Sequence, residues 1–218
     1  MSKADLLSKI YQRLLAHFGP QGWWPAETPL EVAVGAVLTQ NAAWSNVARA
    51  VANLKAEGLL EEPGALERLL AQPVERLEYL IRPSGYYRVK ARRLRGLLAF
   101  IAEHGAGLEG LRDAHAAGLR EALLGVRGVG PETADSILLY ALGEPVFVVD
   151  AYTRRVLLRH GLAAEEDGYQ ELQALFMDNL APEVGFFGEY HALLVRLAKE
   201  FCRPRPRCQG CPLGARWW

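Results

Sequence analysis

The stretch Leu123–Val156, LLGVRGVGPETADSILLYALGEPVFVVDAYTRRV, decides the fold. A helical run ends in a Gly-rich turn, Gly128-Val129-Gly130, and a second helix begins at Pro131. Gly128 and Gly130 tolerate positive φ and leave backbone amides uncovered. Pro131 suits a first helical position, where its missing N–H costs nothing. The helix N-terminus then offers partial positive charge and unpaired N–H groups to an anion. Beyond it, Ala134, Ile137, Leu138 and Ala141 give one apolar face. These features describe either an ordinary αα-hairpin or one that grips a phosphate. The short apolar run Val146–Val149 favours the grip, because it leads straight into Asp150 at the head of a further helix. Asp is a favoured N-cap, so capping alone accounts for its presence. The functional account is a carboxylate on a buried stem, with Arg154, Arg155 and Arg159 on the helix that follows.

Outward from this stretch the chain reads as helical throughout. Leu6, Leu7, Ile10, Leu14 and Leu15 recur at helical spacing. Thr28-Pro29-Leu30-Glu31 combines an N-cap, a first-turn Pro and a capping-box Glu. Further helices are expected near 47–56, 65–71, 73–81, 87–104, 118–124, 131–142, 151–160, 169–179 and 186–201, with no alternation suited to strands and no internal repeat. The expectation is an all-α fold of two helical lobes around a cleft, and if the hairpin grips phosphates this is a DNA-binding cleft. A central lobe, 28–144, carries the helix-hairpin-helix (123–142); 1–27 with 145–201 forms the second lobe; 202–218 is a Cys loop.

The chain has 218 residues, 50% hydrophobic and 23% charged, with 25 basic and 25 acidic residues. That suffices for a sizeable core, and the zero net charge does not announce nucleic-acid binding by itself. The distribution is more informative. Arg82, Arg88, Lys90, Arg92, Arg93 and Arg95 cluster without an acid, and Arg196, Lys199, Arg203, Arg205, Arg207 and Arg216 crowd the tail against Glu200 alone. Acids gather elsewhere, at Glu61-Glu62 and Glu165-Glu166-Asp167. Such separation suits a phosphate-facing surface backed by an acidic one, although solvated helix faces also carry such runs. No apolar run reaches membrane-span length and the N-terminus lacks a signal-peptide core. A cytoplasmic, nucleoid-associated monomer is expected.

The hairpin, its spacing to Asp150 and the helices around them resemble the helix-hairpin-helix DNA glycosylases of the endonuclease III superfamily. The resemblance covers nearly the whole chain. Trp23-Trp24-Pro25, Gly35–Asn41, Arg82–Tyr87 and Gly130–Asp135 are similar, more closely, to the 3-methyladenine DNA glycosylases of the endonuclease III type. The resemblance implies base excision on double-stranded DNA, with Asp150 as the catalytic carboxylate. It implies a base pocket of Trp24, Pro25, Trp44, Glu132 and Lys199. It places Gln40 and Tyr86 where side chains fill the gap left by an extruded base, and Arg127, Gly128, Val129, Gly130 and Thr133 on the DNA backbone.

One departure bears on the reaction. Bifunctional superfamily members carry a Lys two residues after the last hairpin Gly; this chain has Glu132 there. A carboxylate cannot form an imine with a sugar aldehyde. Hydrolysis without efficient strand cleavage is therefore expected, with alkylated purines such as 3-methyladenine as substrate. An electron-rich aromatic face attracts such a cationic base. Two other functions stay open: an endonuclease III-like glycosylase for uracil, mispaired thymine or oxidised pyrimidines, and a non-catalytic DNA-binding protein. No cofactor is needed for the chemistry itself.

The tail, Cys202-Arg203-Pro204-Arg205-Pro206-Arg207-Cys208-Gln209-Gly210-Cys211, resembles the [4Fe–4S] loop of endonuclease III-type enzymes. All 3 Cys of the chain lie in it, and Trp217 stands where a fourth is expected. The alternatives are a cluster with a non-Cys fourth ligand, a three-iron form, a relic loop packed by Trp217 and Trp218, and a zinc site.

Overall fold

The computed structural model describes residues 2–104, 107–114 and 118–214, and all regular structure among them is helical. The order is α1 Lys3–Phe18, α2 Pro29–Leu38, α3 Trp44–Ala56, α4 Ala65–Ala71, α5 Val74–Leu80, a 3₁₀ turn Arg82–Ser84, α6 Tyr87–Glu103, α7 Gly107–Ala114, α8 Leu119–Gly125, α9 Pro131–Ser136, a π-helical turn Ile137–Ala141, α10 Ala151–Arg159, α11 Tyr169–Met177 and α12 Val184–Glu200. No described helix is long and apolar enough to cross a membrane. The chain divides into two compact units, one running through Pro25 and again from Glu144 onward, the other spanning Ala26–Gly143.

In the Ala26–Gly143 unit, α2 is the core element. Every residue from Leu30 to Leu38 is buried, so this helix is apolar on all sides and needs neighbours all around it. Thr28 caps it by accepting from Glu31 N at 3.1 Å. The expected reciprocal capping box does not close: the Glu31 carboxylate accepts from Glu27 N at 3.1 Å and pairs with Lys55 at 2.9 Å. A buried carboxylate takes the cation that α3 brings within reach. The helix expected over 131–142 is regular to Ser136 and then widens to π-helical over Ile137–Ala141. Helix α7 was not expected from the sequence; its apolar positions, Leu108 and Leu111, are few but buried.

The other unit closes around an aromatic cluster. Phe147 stacks on Phe176 at 3.7 Å, with Phe187 and Tyr190 edge-on to Phe147. The Tyr190 hydroxyl donates to Leu7 O at 2.9 Å, joining α12 to α1. Phe147, Val148 and Val149 are buried, which explains an apolar run too short for a helix. Its backbone polar groups, which burial would otherwise orphan, are served by α11. Phe147 O accepts from Gln173 Nε2 at 2.7 Å, and Val149 N donates to the Tyr169 hydroxyl at 3.3 Å.

Candidate functional site

The run Val146–Val149 ends at Asp150, the N-cap of α10. Its Oδ1 accepts from Thr153 N at 2.7 Å. Its Oδ2 faces His191 Nε2 at 3.6 Å, an ion-pair separation longer than a hydrogen bond, with side chains 12% and 8% exposed. Burial by itself pushes this carboxyl upward. His191 and the Thr153 bonds outweigh that push, and the group is held below the ordinary carboxylate value. Asp150 is thus anionic at neutral pH, nearly buried, bonded through Oδ1 and faced by His191 at Oδ2. His191 carried no signal in the sequence, where a lone His among Phe187, Tyr190 and Leu194 reads as a core residue.

The cations after Asp150 turn out to be occupied. Arg155 donates to Cys202 O at 2.7 Å and lies 5.1 Å over the Tyr152 ring. Arg154 donates to the carbonyls of Asp167 and Glu165. Arg159 donates to the carbonyls of Arg203 and Pro204. Of the expected pocket residues in this unit, Lys199 sits exposed on α12 with its ammonium 5.7 Å from the Tyr152 ring, within electrostatic reach of Asp150. Trp24 is half-buried, its ring 5.1 Å from that of Trp23, and Pro25 is exposed.

The hairpin belongs to the Ala26–Gly143 unit. Gly128 adopts φ +91°, whereas Gly130 takes φ −99° as N-cap of α9, so the turn demands one left-handed glycine rather than two. A Cβ on Gly128 would lie 2.5 Å from Arg93 Cγ, so the Arg93 stem packs directly on the turn. Arg93 Nη1 donates to Gln40 Oε1 at 2.5 Å, and Gln40 Nε2 donates to Gly128 O and to Thr133 Oγ1, both at 3.0 Å. Gln40, expected as a gap-filling side chain, is therefore fastened to the hairpin. Arg127 and Glu132 are exposed, Val129 and Thr133 buried, and Trp44 half-buried at the start of α3. Tyr86 is 74% exposed with φ +46°, a conformation that costs a bulky residue energy.

The basic stretch 82–95 needs one correction. Lys90 is 2% exposed and donates to Leu38 O at 2.8 Å and Ser84 O at 2.7 Å. Burial, with Arg93 nearby, lowers its pKa to about 8. It ties α6 to the end of α2 and is absent from any phosphate-facing surface. Arg95 likewise donates to Gln72 O at 2.6 Å.

Residues 34–182 match the model of the HhH-GPD superfamily of base excision DNA repair proteins. The chain belongs to this superfamily. A provisionally named DNA repair glycosylase of Methanocaldococcus jannaschii is 47% identical over 97% of this chain and 96% of its own length. The solved structure of the Helicobacter pylori 3-methyladenine DNA glycosylase MagIII bound to 1,N6-ethenoadenine is 29% identical, with TM-score 0.76 over 92% of this chain and 98% of that one. A trapped endonuclease III–DNA covalent intermediate shares the fold at TM-score 0.78 and 23% identity, covering 98% and 94% of the two chains. Base excision repair on DNA by an all-helical HhH-GPD glycosylase is thereby the chain's class of activity.

This HhH-GPD chain keeps its three thiols together. Cys202, Cys208 and Cys211 line one cavity of about 390 Å³ with Arg159, His160 and Phe201. Among the described residues no three His, Cys, Asp or Glu side chains converge to hold a single metal ion. The position expected to bear a fourth ligand, Trp217, and its neighbour Trp218 lie outside the described residues, as does Arg216. The loop is also held by protein contacts: Arg159 approaches Cys202 Sγ at 3.4 Å and Arg13 donates to Pro212 O at 3.0 Å.

Proposed function

We propose that this chain is a monofunctional glycosylase that hydrolyses the N-glycosidic bond of alkylated purines such as 3-methyladenine, with Asp150 as its catalytic carboxylate. The observation that carries the reading is the state of Asp150: buried, bonded to Thr153 N, facing His191 and held anionic. Breaking an N-glycosidic bond develops positive charge on the sugar. A fixed carboxylate with little water around it stabilises that charge strongly and orients or deprotonates the attacking water. A base that already carries positive charge leaves with little protonation, so one carboxylate is enough.

In the same reading the target base leaves the helix stack. The residues assigned to the base are Trp24, Pro25 and Lys199 in one unit and Trp44 and Glu132 in the other. Flat, electron-rich rings favour a cationic base by about 0.5 to 2 kcal/mol. Tyr86, exposed and held with positive φ, and Gln40, bonded to the hairpin, fill the vacated space. Arg127, Gly128, Val129, Gly130 and Thr133 meet the DNA backbone. Glu132, exposed on the first turn of α9, supplies no amine for strand cleavage. MagIII, similar over nearly its whole length, supports the purine preference.

Cys202, Cys208 and Cys211 would hold an iron–sulfur cluster in the tail. Its contribution would be structural, cross-linking the tail. Iron analysis together with visible absorption of the purified protein tests this.

The function is tested with duplexes carrying one lesion each: 3-methyladenine, 1,N6-ethenoadenine, uracil, a T·G mispair or thymine glycol. Release of alkylated purines without borohydride-trappable protein–DNA adduct is expected. Release only from pyrimidine lesions, efficient trapping, or salt-sensitive binding without release would each replace the proposal with a different one.

A further inference from the structure

We infer that His191 is the positioning residue of Asp150: from α12 it fixes the second carboxylate oxygen, so that the acid presents one orientation and one charge state to the sugar. The inference rests on the assignment of Asp150 as the catalytic carboxylate.

The two oxygens of Asp150 are not equivalent. Oδ1 is committed to Thr153 N at 2.7 Å, as an N-cap must be. A capping bond alone leaves the carboxylate free to tilt about that contact. Oδ2 meets His191 Nε2 at 3.6 Å, and both side chains are close to fully buried. A carboxylate oxygen facing Nε2 favours the form of the ring in which that nitrogen carries the hydrogen, because a lone pair there would repel the anion. His191 in that form directs an N–H toward Oδ2 in a site where water screens little, so the two attract across a separation longer than a hydrogen bond.

The ring is itself well anchored. It sits on α12 one residue after Tyr190, whose hydroxyl is bonded to Leu7 O. Phe187, one turn earlier, and Leu194, almost one turn later, are buried. The side chain cannot swing away without disturbing this packing. The other charged groups nearby are differently engaged. On α10, Arg154 and Arg155 are bonded to the carbonyls of Asp167, Glu165 and Cys202. On α12, Lys199 lies over the Tyr152 ring, and Glu189 accepts from Gln21 N at 2.7 Å. On α1, Tyr11 packs edge-on against Phe186 and Tyr190. The His191 ring is thus the group directed at Oδ2.

The experiment reads Asp150 directly. Carbon-13 labelling of aspartate carboxyls, with the Asp150 resonance assigned by its loss in D150N, follows its titration in wild type, H191Q and H191L. The midpoint is expected to rise in the order wild type, H191Q, H191L. Gln keeps a donor on a side chain of different reach, whereas Leu leaves burial unopposed at that oxygen. In parallel, single-turnover release of methylated purines from dimethyl-sulfate-treated duplex is expected to fall about tenfold in H191L, the scale of one lost charge-assisted contact, with half-saturation little changed. H191Q should recover part of that rate.

A residue that merely fills the core would lower the melting temperature and leave the midpoint and the rate alone, and that result would overturn the inference. If H191L does not fold, an unshifted Asp150 midpoint in H191Q overturns it equally. Base release by D150N would instead remove the assignment of Asp150, while the titration still reports whether His191 governs that carboxyl.

Discussion

Replacing Gly128 with alanine tests the hairpin at the point where geometry is most demanding. Two separate penalties arise. The backbone stands at φ +91°, a region that costs an L-residue about 1 to 2 kcal/mol. The new Cβ would then lie 2.5 Å from Arg93 Cγ and 2.7 Å from Cδ, the middle of that side chain rather than its free end. Arg93 must move as a whole, which breaks its bond to Gln40 Oε1 and loosens the Gln40 bonds to Gly128 O and Thr133 Oγ1. A bond with a charged donor adds about 1.5 to 3 kcal/mol. The sum is about 2.5 to 5 kcal/mol, or about 5 to 20 °C in melting temperature for a chain of this size. Gly130→Ala is the internal control. Its φ is −99° and nothing lies within 4 Å of the added Cβ, so it should lose no more than about 1 kcal/mol, the cost of Ala at a helix N-cap. Thermal unfolding followed by circular dichroism measures both. A Gly128→Ala protein melting within about 2 °C of wild type, or a Gly130→Ala protein melting as low as Gly128→Ala, would refute the argument that Arg93 packing selects glycine at one position only.

Asp150→Asn should abolish base release while keeping duplex affinity and most stability, since Asn caps a helix about as well as Asp; activity and melting scans check both. Asp150 has a folded pKa below its unfolded one, so its ionised form contributes stability above the ordinary carboxylate value that is lost as pH falls through the folded one. The stability difference between wild type and Asp150→Asn should accordingly shrink only at strongly acid pH, which urea titrations across pH would show. Lys90 behaves oppositely. Its folded pKa of about 8 lies below the ordinary 10.5, so the unfolded chain binds more protons between those values and stability rises with pH there. Relative to Lys90→Met, wild type should gain up to about 3 kcal/mol from pH 7.5 to 10.5, measured by urea unfolding. Arg159→Ala removes donors to the carbonyls of Arg203 and Pro204 and a contact to Cys202 Sγ, and should speed amide exchange across 203–211 while leaving α1 protected.

Much of the fold was legible because its signals are local. Pro131 after Gly130, Thr28 before Pro29 and the apolar stripe of α1 each announce a helix within a few residues. What escaped depended on contacts distant in sequence. Lys90 reads as one cation among neighbouring arginines, and only its 52-residue reach to Leu38 O shows that it is a buried tie. Gln40 was placed by resemblance as a gap-filling side chain, and nothing local shows that Gly128 and Thr133, 88 and 93 residues away, take its donors. His191 is silent for the same reason, since its partner lies on another helix. Helix α7 escaped on the opposite ground: its sequence, GLEGLRDA, holds two glycines that weaken any local helical signal.

Asp150 shows why the two readings of one residue were never alternatives. A cap residue has a fixed backbone conformation, here φ −106° and ψ 178°, and one oxygen pinned to a backbone N–H. The helix N-terminus adds positive potential that favours the ionised form. Those are also the requirements of a carboxylate meant to stabilise a developing sugar cation: it must be charged despite burial, and it must not rotate. The run Val146–Val149 supplies the burial, Thr153 the first constraint and His191 the second. A carboxylate in mid-helix would need its charge offset by other means and would sweep several rotamers. Placing the acid at a helix start obtains charge and orientation from the backbone itself, leaving a single side chain, on α12, to fix the remaining oxygen.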